Sequence, residues 1–404
     1  MTAQLNNPLR ESLLSHQSSN EDELGYFVYD LDKLDAHLAK LNAQNVIKLW
    51  FAVKANPLSS ILQSVAKQGI NFDVASLGEL QHVLEQGVDA TNILNTGPAK
   101  SRKQLAKFLS VGVNTFVVES LNQLNWLNEE AAKLGKTPQV LLRVQLQWPD
   151  GEKNPLGGNA LTPFGLGVEE WQDIDVQDYP ALNINGLHIF QWGNMLSNEK
   201  MFSLWSQMVE PLVSLANKVG MSLEVLDLGG GLGVDYQNSG QTIDWQVALN
   251  DLAKIKANAG VKELWLELGR YAVAESGYYV TEVIDKKSNF EEQQLVLAAG
   301  INHLIRPAIT DQPFPVSILR ESSRAKNSFH VHGPLCTSLD KLGTLPLPND
   351  VDVGDKLVFG FAGAYGFTES MPFFLCHEIA AEYSYQQGEL TEIRAAQPAN
   401  WYLR

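Results

Sequence analysis

Between residues 48 and 267 the chain alternates short apolar, β-rich runs with amphipathic segments, and no other feature restricts its fold as tightly. The runs lie near 48–53 (KLWFAV), 70–74 (INFDV), 92–95 (NILN), 114–118 (NTFVV), 139–146 (QVLLRVQL), 184–190 (INGLHIF), 223–228 (LEVLDL) and 263–267 (ELWLE). The amphipathic segments are 58–68, 77–86, 99–110, 119–134, 197–219 and 243–259. In the fourth of these Leu121, Leu124, Leu127, Ala131 and Leu134 recur at spacings of three and four, which is a helical period. Continuously apolar strands predict a parallel sheet covered on both faces. Eight such units predict an α/β fold, a closed (β/α)8 TIM-like barrel over 33–280. An open doubly wound sheet is the structural alternative.

After about residue 280 the pattern changes to strand-like runs separated by turns, among them GYYVTEVIDKK, QQLVLAAG, NSFHVHG and KLVFGFAG. An all-β second domain, a sandwich or open barrel, is expected over 281–404, with the early strand YFVYDLD at 26–32 joined to it. Residues 1–25 read as a polar N-terminal arm, expected to be mobile.

Composition excludes several classes. Of 404 residues, 45% are hydrophobic and 19% charged, a globular balance. The net charge of −16 argues against nucleic acid or an anionic membrane as a partner. Cys336 and Cys376 are too few for a disulfide framework and fit a reducing compartment. The polar N-terminus has no apolar h-region and no run of about 18 apolar residues occurs, so a cytoplasmic protein without a membrane helix is expected.

In a (β/α) barrel the active site lies at the C-terminal ends of the strands. The residues there are Lys54, Asp73, Asn95, Glu119, Arg143 or Gln145, His188, Asp227 and Glu267. Singly, each has a bland role as a loop lysine, a capping aspartate or a structural histidine. Their coincidence at one mouth points to chemistry. Lys54, in FAVKANP, follows an apolar strand that would leave its amine partly desolvated, nucleophilic and suited to a Schiff base with an aldehyde cofactor. A lysine that merely caps the strand end is the alternative. In LDLGGGLGVDY, Gly229, Gly230 and Gly231 bare backbone N–H groups, which suits phosphate or only a tight turn. The run is no dinucleotide fingerprint, because it reads Gly229-x-Gly231-x-x-Val234 and lies on the seventh strand. Glu267 could hold a protonated pyridine nitrogen, His188 could stack on a ring, and Arg270 could contact phosphate or carboxylate; a local Glu267–Arg270 ion pair is the alternative.

Two loops of the second domain stand out. HGPLCTSLD puts Cys336 after a Gly-Pro turn signal, and GAYG puts Tyr365 between glycines. Cys376, in MPFFLCHEIAAE, reads as packing. With no His-x-x-x-His or Cys-x-x-Cys pair, no metal is expected. No Gly-x-Ser-x-Gly elbow supports a serine hydrolase.

FVYDLD, FAVKANP, FDVASLGEL, LNTGPAKS, GLHI, LDLGGGLGVDY, ELGRY, INHLIRPA, GPLCTSLD and GAYG follow one another from about Tyr26 to the C-terminus. In this set the chain resembles the pyridoxal-phosphate-dependent decarboxylases of the alanine racemase-like barrel fold, a group that includes the diaminopimelate, ornithine and arginine decarboxylases. The resemblance implies pyridoxal 5'-phosphate bound through Lys54, with Asp73 beside it and His188 stacked on the pyridine ring. It implies Gly229, Gly230, Gly231, Gly269 and Arg270 around the phosphate, and Glu267 on the pyridine nitrogen. It also implies a homodimer with shared active sites, in which Cys336 of the partner subunit donates a proton near the substrate Cα and Tyr365 of the partner subunit touches the phosphate.

The chain departs from the family in informative places. Asn194, in HIFQWGNM, stands where the family usually has serine, and Pro163 stands where a lysine is common. Thr337 follows Cys336 where ornithine- and diaminopimelate-type enzymes carry an acid, and Ala299 replaces the ornithine-type aspartate. Arg306 is retained, as in diaminopimelate decarboxylases, where it contacts a distal carboxylate. The resemblance therefore implies α-decarboxylation of a conjugated amino acid such as N-citrylornithine or citryl-diaminopropionate, in siderophore biosynthesis, with Arg306 and Thr337 in the substrate pocket. A plain diaminopimelate, ornithine or lysine decarboxylase, a racemase on the same fold and a non-catalytic pyridoxal phosphate carrier are the alternatives.

Overall fold

The computed structural model describes residues 3, 5–20, 22–148 and 161–403 and divides into two compact units. The first, Leu38–Gly233 with Thr242–Gly269, is the barrel. With β1 (Gly25–Asp30) belonging to the other unit, the barrel strands are β2 (Lys48–Ala52), β3 (Asn71–Val74), β4 (Ile93–Asn95), β5 (Thr115–Val118), β6 (Gln139–Gln145), then, past a two-residue β7 (Leu166–Gly167), β8 (Asn183–His188), β9 (Val225–Asp227) and β10 (Glu263–Leu268). They run parallel in the order β5-β4-β3-β2-β10-β9-β8-β6, and β5 pairs with β6 to close the ring. The open sheet is thereby excluded.

Helices alternate with these strands for local reasons. Ser76, Ser101, Ser120 and Ser197 each accept a backbone N–H three residues on, which satisfies a donor left over at a helix start. Trp50, Leu94, Val117, Leu141, Val225 and Trp265, one from each of six strands, fill the barrel interior. A filled interior leaves the polar strand ends only the mouth to occupy.

The second unit comprises Met1–His37, Val234–Gln241 and Arg270–Arg404 and is mostly β. In it β1 lies between Gly277–Asn289, antiparallel, and Ala381–Gln386, parallel. The expected mobile arm is not what the structure has: Asn7–Ser19 is an α-helix. Asn6 accepts the Leu9 amide at its start, and Leu9 and Leu13, one turn apart, are fully buried against Tyr26, Val28, Val280 and Tyr383. Two leucines on one face hold down an otherwise polar helix. Residues 1, 2, 4 and 21 of the arm lie outside the described residues. Among the described residues no helix is long and apolar enough to cross a membrane.

Candidate active site

β8 ends on His188, β9 ends on Asp227, and β10 carries Glu267 one residue before its end. His188 Nε2 lies 3.2 Å from Glu267 Oε1, and one ligating atom from each of the three residues lies within 4.8 Å of the other two. Asp227 Oδ1 accepts the Gly229 amide at 2.8 Å. Both ring nitrogens of His188, Glu267 Oε1 and Asp227 Oδ2 are buried without an aligned hydrogen-bond partner among the described residues. Such atoms are rare in a folded interior and mark a place with a task beyond packing.

The electrostatics separate these groups. Burial alone would raise the Glu267 pKa, but His188, Lys54 and Arg143 pull it down to about 2. The net effect is downward, so Glu267 is a carboxylate. Burial pushes His188 down, against Glu267. Burial and then Glu267 push Asp227 well above the carboxylate range. The same two causes lift Asp73 to about 8, against Lys54 and Thr96. Thr96 Oγ1 donates to Asp73 Oδ1 at 2.5 Å. The spacing of His188, Asp227 and Glu267 would also suit a metal ion.

Lys54 rides on the short turn Val53–Ala55 that follows β2. The turn lifts the side chain off the barrel wall, so Lys54 is exposed rather than partly desolvated as its strand context implied. Asn95 serves structure, donating to Val74 O at 3.1 Å. Glu119 accepts from Arg143 at 3.1 Å and from the Gly165 amide at 3.2 Å. Arg143 lies 4.4 Å from the Phe164 ring centroid, and Gln145 donates to Phe164 O at 2.7 Å. Phe164 and Gly165 therefore fix the segment at Pro163 to the mouth.

Two residues escaped sequence reasoning. Lys100, in LNTGPAKS, is fully buried 3.7 Å from Glu119 and donates to Gly97 O. Burial lowers its pKa to about 8, with Glu119 opposing. Asp340 is buried at the end of the cysteine loop and accepts the amides of Leu335 and Ile301 at 2.7 and 2.8 Å. A lysine following TGP and an aspartate closing GPLCTSLD were the only signals.

The glycine run is built for close approach. A Cβ on Gly230 would stand 2.2 Å from Glu267 O, and Gly229 and Gly231 take φ of +63° and +103°. Among the described residues the Gly230 and Gly231 amides donate to no partner. Asn194 has φ +51°, a conformation asparagine tolerates better than most residues.

In the β unit Cys336 is exposed, and Thr337 Oγ1 accepts the Leu339 amide at 3.2 Å. Tyr365, at φ +53°, has the guanidinium carbons of Arg270 and Arg306 4.8 and 4.5 Å from its ring centroid. Arg270 also donates to the Tyr236 hydroxyl at 2.8 Å. Arg306 NH1 binds both oxygens of Glu369, at 2.7 and 2.8 Å. Ala299 is buried. Cys376 is exposed rather than packed, because Leu375 and Cys376 both adopt positive φ and turn outward.

Residues 31–274 match the family model described as the pyridoxal-dependent decarboxylase, pyridoxal binding domain. The chain belongs to this family. It is 33% identical over 329 residues to a diaminopimelate decarboxylase of Haemophilus influenzae, covering 80% of this chain and 78% of that one. It is 28% identical over 367 residues to the 2-[(L-alanin-3-ylcarbamoyl)methyl]-2-hydroxybutanedioate decarboxylase of Staphylococcus aureus, covering 87% and 92%. In fold it is similar to a diaminopimelate decarboxylase of Helicobacter pylori solved with L-lysine, with a TM-score of 0.86, 24% identity and coverage of 96% and 98%. This pyridoxal-dependent decarboxylase thus uses pyridoxal phosphate. The mouth fits that group: it offers an anionic Glu267, unaligned buried atoms on His188 and Asp227, an exposed Lys54 amine and two unengaged glycine amides.

Proposed function

We propose that this decarboxylase acts on an amino acid whose side-chain amine is already joined to citrate, such as N-citrylornithine or citryl-diaminopropionate, in siderophore biosynthesis. The reading rests on Arg306, at the position that meets a distal carboxylate in diaminopimelate-type relatives, together with Thr337 and a buried Ala299 at the positions where related enzymes carry an acid for a distal amine. A bare distal ammonium would find no carboxylate at those positions. Arg306 commits only NH1 to Glu369, which leaves Nε and NH2 as the edge that receives a carboxylate bidentately. The Staphylococcus aureus relative adds support, since its named substrate is a 2-hydroxybutanedioate bearing an amide-linked alanin-3-yl arm.

Bound pyridoxal phosphate supplies the electron sink for the bond that breaks. The residues divide the remaining work. Lys54 would hold the cofactor through its Nζ. Glu267, a carboxylate, would pair with the ring nitrogen and favour its protonated form. His188 would pack against the ring, with Asp73 nearby. Gly229, Gly230, Gly231, Gly269 and Arg270 hold the phosphate through backbone N–H groups and one guanidinium. Carbon dioxide leaves and one proton is returned to Cα, by Cys336 Sγ or by the released Lys54 amine.

The same reading makes the protein a cytoplasmic homodimer with Cys336 supplied across the subunit boundary, whereas Tyr365, 4.8 Å from the Arg270 guanidinium of its own chain, would reach the phosphate from that chain rather than from the partner. Exposed Cys336 and the exposed apolar Phe373, Phe374, Leu375, Trp401 and Leu403 support it. Mixing Lys54→Ala and Cys336→Ala proteins should give more activity than the sum of the two measured separately. Carbon dioxide release from a panel of free and citrylated diamino acids tests the substrate; turnover of ornithine without turnover of citrylornithine would overturn it.

A further inference from the structure

Lys100, Glu119 and Arg143 form a buried group that the chemistry above does not use. Lys100 and Glu119 are 0% and 1% exposed and Arg143 is 7% exposed, so two cations share one carboxylate inside the barrel. Such an arrangement is costly to bury and is weak evidence of a stabilising role. Its contacts lead to the reactive groups. Lys100 donates to Gly97 O. The neighbouring Thr96 donates to Asp73 Oδ1 at 2.5 Å. Asp73 in turn is faced by Lys54 from the turn after β2, Glu267 from β10, Asp227 from β9, Glu79 from the helix Leu77–Glu85, and Lys100. On the far side Glu119 accepts the Gly165 amide, and Arg143 lies against Phe164.

We propose that Lys100 is a positioning residue: with Glu119 and Arg143 it fixes the Thr96–Gly97 turn and sets the electrostatic field at Asp73 and Lys54, where the cofactor is held. The inference rests on cofactor attachment at Lys54 but not on the identity of the substrate.

The two variants Lys100→Met and Glu119→Gln remove charges of opposite sign from one network. A positive charge nearby disfavours the protonated form of the Lys54 nitrogen, and a negative charge favours it. In the pyridoxal-phosphate-loaded holoenzyme, the pH midpoint of the visible cofactor absorbance is therefore expected to rise in Lys100→Met and to fall in Glu119→Gln. A merely structural role would leave the midpoint in place or move it the same way in both. An unmoved midpoint in either variant, or shifts of one sign, overturns the proposal. If Lys100→Met does not fold, Glu119→Gln decides alone: a fall supports the proposal, and no shift or a rise overturns it. A wild-type protein with no visible band at all would instead count against cofactor attachment at Lys54.

Discussion

Gly230→Ala is the substitution whose consequence the structure specifies most closely. The added Cβ would stand 2.2 Å from the carbonyl oxygen of Glu267. Comfortable non-bonded contact needs about 3.5 Å, so the glycine run and β10 must separate by about 1 Å. The atom that is pushed belongs to the residue whose carboxylate faces His188. A displacement of about 1 Å at a reacting centre is worth about 10²-fold in rate. Overpacking of this kind costs about 1–3 kcal/mol of stability. Three assays read the result: absorbance titration of the apoprotein with pyridoxal phosphate, initial rates of carbon dioxide release, and denaturant unfolding. The expected outcome is weaker cofactor binding, a rate lower by about 10²-fold and a modest loss of stability. Gly69→Ala is the control. Gly69 has φ +70° with nothing within 4 Å of its would-be Cβ, so that variant should lose about 1–2 kcal/mol of stability and no cofactor affinity. If Gly230→Ala binds cofactor and turns over like the wild type, the close packing of the glycine run on β10 does not position the site.

Other outcomes follow from the same geometry. Glu267→Gln removes the carboxylate that His188, Lys54 and Arg143 hold anionic, and kcat should fall by about 10²–10³-fold; retention within threefold would remove Glu267 from the mechanism. Asp73 is raised from 3.8 to about 8 in the folded chain, so between those values the folded state keeps a proton that the unfolded state releases. Its contribution is fully present below 3.8 and is lost as pH rises through about 8, so stability declines across that window and Asp73→Asn should flatten the decline in denaturant titrations. An unchanged slope would show that Asp73 titrates normally. Leu13→Ala, which empties part of the socket beneath the N-terminal helix, should cost about 2–5 kcal/mol of the β unit's stability; a loss below about 0.5 kcal/mol would mean that the helix is not docked.

The barrel was legible because its determinants are local. Each buried strand is a continuous apolar run, and each serine cap sits at the start of its helix. The mouth was legible because the C-terminal end of every barrel strand carries a polar residue, and parallel strands bring those ends together. What escaped depended on partners distant in sequence. Lys100 becomes a buried cation only when Glu119, one strand later, folds against it. Arg306 pairs with Glu369, 63 residues on, a contact no spacing rule reaches. The N-terminal helix carried its own signals, Asn6 and Pro8 ahead of Leu9 and Leu13, but the polar residues around them gave the segment the composition of a loose arm. Lys54 was misjudged in burial alone, because a single helical turn after a strand decides whether a side chain stays against the wall or leaves it.

Attachment of pyridoxal phosphate at one lysine underlies everything proposed for this chain. Borohydride reduction of the loaded protein followed by peptide mapping reads that attachment directly. A pyridoxyl mass addition on the peptide bearing Lys54, and on no other, is the predicted result. Label on Lys100, the buried lysine with the lowered pKa, or on any other lysine would contradict the account.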